Sequence, residues 1–240
     1  SGVEIGGGTT LDASSVETTG DQTYTGGLML AQDASLTSGG GIDLAGVDGA
    51  HALQIDADGL TACSGPVGQM APLASLGVSG EAFIETGSIA TDGGQTWGGD
   101  VTLAMDTTLT GGSIVFQMDV DGASQGGASL TLDGPATVGG GVGQTMALSS
   151  FTAMDSLALN GPGVATTGGQ FYTGDVALGA DASLRSLNDG TIRFASNIDG
   201  PFDLSVVTGE DGLIVFEGDV GQSDPLITLS LRTDGGDGER

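Results

Sequence analysis

A block of about 75 residues recurs three times in this chain, and a tandem repeat constrains the fold more than any other feature of the sequence. The segment GDQTYTGGLMLAQDASLTSGG (20–40) returns as GGQTWGGDVTLAMDTTLTGGS (93–113) and as GGQFYTGDVALGADASLRSLN (168–188). Gln22, Gln95 and Gln170 lie 73 and 75 residues apart, and each has an aromatic two positions on: Tyr24, Trp97 and Tyr172. Val-Asp-Gly follows at 47–49 and 120–122, with Ile-Asp-Gly at 198–200, and then Val-Gly-Gln at 67–69, 142–144 and 220–222. Four anchors in one order at nearly constant spacing divide the chain. Residues 1–17 read as the end of a preceding repeat, 18–90 as repeat one, 91–165 as repeat two and 166–240 as repeat three. All are expected to form one continuous body within a longer array.

Inside each unit the apolar residues alternate with period two, the signature of half-buried strands. Leu28, Leu30, Ala34 and Leu36 share one face, as do Val101, Leu103, Met105 and Leu109 in the second copy. Val176, Leu178, Ala180, Ala182 and Leu184 do so in the third, and Ile114, Phe116, Met118 and Val120 form a further set. No segment carries a sustained helical stripe; GQMAPLASLGV (68–78) comes nearest and is interrupted by Pro72. Three strands of ~5 residues with three connections of ~2–4 make a coil of ~21–27 residues, so one unit holds about three coils. The predicted fold is all-β, a right-handed parallel β-helix (β-solenoid) of nine or ten coils, a rod roughly 45 Å long at ~4.8 Å per coil. On this reading equivalent residues of the three repeats share one column, ~14 Å apart.

Charge narrows the function. There are 31 acids against four Lys plus Arg, a net charge of −27. All four are arginines, Arg185, Arg193, Arg232 and Arg240, so residues 1–184 carry no basic side chain except His51. Nucleic-acid binding rests on Lys and Arg displacing counterions from phosphates, which this composition excludes as a partner class. No apolar run reaches the ~18–20 residues of a membrane span, so membrane insertion is not expected. Mutual repulsion among the acids predicts a melting temperature that rises from millimolar to molar NaCl, because salt screens charges beyond ~8 Å at physiological strength.

The ordered anchors QTYTG…L…LT, VDG…LTLD and VGQ…L.SL resemble the repeats of filamentous-haemagglutinin-like and autotransporter-type bacterial adhesins. The resemblance covers nearly the whole chain. It implies a secreted or surface-tethered rod that holds a distal binding region away from the cell. The expected function is that of a non-enzymatic extracellular spacer. Terminal coils expose backbone edges unless capped, so association with neighbouring repeats or with copies of itself is expected, with cell-surface glycans as further candidate partners. A carbohydrate-binding or polysaccharide-cleaving β-helix is the alternative.

No catalytic or cofactor motif stands out. The sequence has no Ser-His-Asp order, HExxH, paired-Cys motif or phosphate loop. The turns DADG (56–59) and DVDG (119–122) are the candidate calcium ligands, with two carboxylates two residues apart but without the later acid of an EF-hand. His51 lacks a repeated nucleophile beside it and reads as a solvated turn residue, while the single Cys63 reads as a small buried hydrophobe. Arg185 and Arg193 lie in a locally lengthened segment, SLRSLNDGTIRFASN (183–197), the one place where a bespoke site would have room. Tyr24, Trp97 and Tyr172, expected in line at corners, read as corner packing, with a glycan-stacking column as the functional alternative.

Overall fold

The computed structural model describes residues 1–234, and all of their regular structure is β. The strands hold two to seven residues because Gly, Asp, Asn or Ser interrupts the chain after almost every one. Every named pairing is parallel, with a strand meeting its counterpart 19 to 25 residues later, as Val3 meets Gln22, Gln22 meets Ile42 and Val206 meets Leu231. The chain is therefore the expected β-solenoid.

Five sheets make up three faces. Face I starts at Val3–Ile5, face II at Thr9–Leu11 and face III at Ser15–Thr18. Face III is one ten-stranded sheet, whereas faces I and II each consist of two sheets joined by a single residue. Val142 bridges Val120 to Val164 on face I, and Val67 bridges Val47 to Ile89 on face II. Seven strands, Val142 and four more strands give face I twelve levels, hence eleven turns between the first and the last.

The repeat is not a whole number of turns. From the strand of Gln22 to that of Gln95 the chain takes eleven strand steps, counting Val67 as one, and from Gln95 to Gln170 it takes eleven again, counting Val142. At three strands per turn, eleven steps make three and two-thirds turns. The expected coil count per unit was low because most strands have three or four residues where about five were expected. Each repeat is consequently rotated by 120° on its predecessor. Gln22 lies on face I, Gln95 on face III and Gln170 on face II. The single shared column expected for equivalent residues is thereby replaced by three separate faces.

The lumen is filled by one residue in two along each strand. Leu, Ile and Val dominate, with large rings among them: Trp97 stacks on Phe116, and Phe151, Tyr172, Phe194 and Phe216 line four successive turns of face II. Ring centroids are 4.8 Å apart for Tyr172–Phe194 and 5.0 Å for Phe194–Phe216, nearly parallel in both cases. That spacing is the rise of one turn, so strand stacking itself sets the aromatic stack. Met105 and Met118, expected in the core, are exposed at corners. Alternation resets at every corner, and these two residues fall between strands rather than in them.

Candidate functional site

The repeated anchors turn out to be devices of the fold. In Gln22–Tyr24 the amide and ring both point inward and are buried, and the Tyr24 hydroxyl donates to Gln22 Oε1 at 2.9 Å. Gln22 Nε2 donates to the Thr37 carbonyl at 2.7 Å, which links face I to face III in the same turn. The third copy repeats the arrangement, Tyr172 to Gln170 Oε1 at 2.9 Å and Gln170 Nε2 to the Arg185 carbonyl at 2.9 Å. In the second, Gln95 Nε2 reaches the Thr110 carbonyl at 2.8 Å, but Trp97 has no hydroxyl to offer. Gln95 Oε1 and Trp97 Nε1 are both buried without a partner. The three rings are thus interior packing on three faces, which overturns their expected alignment at corners and removes them as a glycan-stacking surface.

The second and third anchors bind each other across one turn. The Val47, Val120 and Ile198 carbonyls accept from Gly68, Gly143 and Gly221, each at 2.7 Å. These glycines have φ of +69°, +66° and +68°, the left-handed conformation that a side chain resists. Beyond the glycine the chain loops outward, and its free amides are met by the preceding aspartate. Asp48 Oδ1 accepts from Met70 and Ala71 N–H (2.8 and 3.1 Å), Asp121 from Thr145 and Met146 (3.0 and 3.1 Å), and Asp199 from Ser223 and Asp224 (2.9 and 3.2 Å). Single aspartates do the same at other corners: Asp21 accepts from Gly41, Asp33 from Ala52 and Asp106 from Ser129. Many of the aspartates thus serve as acceptors for corner amides of the following turn. The sequence signal was there, since each aspartate precedes its donor by 19 to 25 residues, but it can be recognised only once the turn length is known.

The candidate calcium turns belong to this pattern. Asp56 Oδ1 accepts from the Ser79 hydroxyl at 2.6 Å, and Asp119 Oδ1 from Gly141 N–H at 2.6 Å. Among the described residues no three His, Cys, Asp or Glu side chains converge as a metal site. His51 Nδ1 lies 3.6 Å from Asp33 Oδ1 at the surface. Cys63 faces the lumen, buried, and desolvation aided by the Asp43 charge pushes its thiol up to about 12. Arg193 pairs with Glu217 through two bonds of 3.1 and 2.6 Å, while Arg185 is exposed one face away, on Ala182–Ser186, so the structure does not join the two into a site. Asp175 accepts from the Ser196 hydroxyl at 2.5 Å and from Asn197 N–H at 3.1 Å, and these bonds lower its pKa.

One surface feature had no sequence signal. A shallow groove of about 480 Å³ crosses face III over Gly77, where the missing side chain opens the sheet between Gln54, Thr96 and Gln117. The outward column it belongs to runs Gly77, Thr96, Val115, Thr137, Ala158, Ala177, uncharged over six turns of an acidic protein. No protein family, curated protein or solved structure matches this chain.

Proposed function

We propose that the chain is a non-enzymatic rod segment of a large bacterial surface or filament-forming protein, working outside the cell as a spacer and adhesive support that stacks on neighbouring repeats or copies. The observation that carries this reading is the lumen, packed without interruption through eleven turns on three continuous faces. Stacked coils bury one another's apolar faces, so length is gained without a new core. The lysine-free acidic surface and the likeness of the anchors to adhesin repeats support it further.

Fusions of one, two and three copies, imaged by atomic force microscopy, should lengthen by roughly 53 Å per eleven turns at ~4.8 Å each. Contours that bend or collapse between copies would remove the spacer role. Antibody staining of intact source cells tests the location, and a signal that needs permeabilisation overturns it. The groove over Gly77 favours a second reading, recognition of an uncharged glycan through the amides of Gln54 and Gln117 and the hydroxyl of Thr96. A glycan array on which the wild type and the Gln54→Ala, Gln117→Ala double variant give the same profile eliminates it.

A further inference from the structure

Methionine is normally among the buried residues, yet all six here are exposed, between 42 and 84 per cent. The cause is local. Met105, Met118 and Met154 sit at corners, each just before an aspartate; Met70 and Met146 lie on the Val-Gly-Gln loops, and Met29 points outward from Leu28–Leu30. At none of these places does the next turn cover the side chain. The lumen is built instead from groups a peroxide leaves intact, Leu, Ile, Val, Phe and Tyr, with the thiol of Cys63 and the indole of Trp97 fully enclosed.

We propose that the six methionines are sites of reversible oxidation, a coat that consumes two-electron oxidants of the hydroperoxide class while the fold beneath is unaffected. Each thioether sulfur attacks the terminal peroxide oxygen. An S–O bond forms as the O–O bond breaks, sulfur gives up two electrons, and the other oxygen leaves with a proton as water or an alcohol. Methionine sulfoxide is polar and would disrupt a core, but here it enters solvent, and sulfoxide reductases with a thiol reductant can return it to the thioether.

The test is titration of the full chain with hydrogen peroxide, followed by intact mass, peptide mapping, circular dichroism and thermal melting. Six oxygens are expected per chain, Met70 first, each at a rate within about tenfold of that of a free methionine peptide. The melting temperature should stay constant throughout, and reductase treatment should return the starting mass. Leu132→Met, which places a thioether in the lumen, supplies the contrast: oxidation there should be slow in the folded chain and should lower the melting temperature. The proposal is overturned if any of the six is protected more than about tenfold, if melting falls as the first oxygens add, or if the lumen methionine reacts as fast as the others. Should Leu132→Met fail to fold, the first two outcomes still decide.

Discussion

The glutamine–tyrosine pair shows how a polar group survives inside so narrow a core. Gln22 and Gln170 place their amide N–H on carbonyls of other strands and their Oε1 under a tyrosine hydroxyl, so no strong hydrogen-bonding atom of the amide is orphaned. Tyr172→Phe leaves Gln170 Oε1 buried without a donor and is expected to cost about 1–3 kcal/mol in chemical denaturation. Trp97→Phe removes no such bond, so its cost should follow lost volume alone. An unchanged midpoint for Tyr172→Phe would mean that the hydroxyl bond contributes nothing. The spacing of this anchor was plain in the sequence, but its inward orientation was not, because glutamine is ordinarily a surface residue. Asp175 is the residue-level case for pH. Hydrogen bonds from Ser196 and Asn197 hold its folded pKa below the unfolded one, so its contribution is complete above the ordinary aspartate range and is lost as pH falls from that range through the lowered folded value. Carboxyl NMR titration should place Asp175 below the ordinary aspartate value, and Ser196→Ala should move it upward.

At the scale of the element, the unit of construction is the corner. A strand of three residues makes too few ladder bonds to fix its own end, and the Val-Asp-Gly/Val-Gly-Gln pair adds one carbonyl, one left-handed glycine and one carboxylate that takes two amides. Gly143→Ala forces an L side chain into positive φ and drives its Cβ onto the Ala165 carbonyl, so it should destabilise by about 2 kcal/mol or more. Asp121→Ala strips the acceptor from Thr145 and Met146 at an exposed site, where water can replace it, and should cost about 1 kcal/mol. Denaturation midpoints that rank these two in the opposite order would show the carboxylate, not the glycine, to be the stronger restraint. Strand positions were legible from alternation because Leu28, Leu30 and Leu36 do face inward. Corners were not, since nothing in alternation marks where it resets; Met105 and Met118 continue the pattern on paper and stand outside it in space.

At the scale of the molecule, the rotation of the repeats governs both charge and display. Asp33, Asp106 and Asp181 do not share a column, so repulsion between repeat equivalents is weaker than the sequence implied. The close acids are those on successive turns: Asp100 and Asp119, Asp181 and Asp203, Asp189 and Asp211, where the first accepts the backbone N–H of the second at 3.0–3.2 Å. A rise of ~4.8 Å lies well inside the ~8 Å screening length, so the melting temperature should still climb with NaCl, and these pairs should be the reason. Replacing Asp211 with Asn, which leaves the accepting carboxylate of Asp189 in place, should lower the slope of the salt dependence; a slope equal to wild type places the repulsion elsewhere. Rotation itself can be measured. Thr23, Thr96 and Phe171 are equivalent outward residues of the three repeats, on faces I, III and II, while Phe83 lies on face I three turns beyond Thr23. Spin labels on Thr23→Cys with Phe83→Cys, in a Cys63→Ala background, should report a separation set by three rises, ~14 Å between backbones. Thr23→Cys with Thr96→Cys adds two-thirds of a turn, ~18 Å along the axis, and the width of the rod on top. The second pair should therefore be clearly the longer of the two. Equal distances would mean that the repeats stand in register after all, and with that the three-sided presentation of every repeated surface group would be lost.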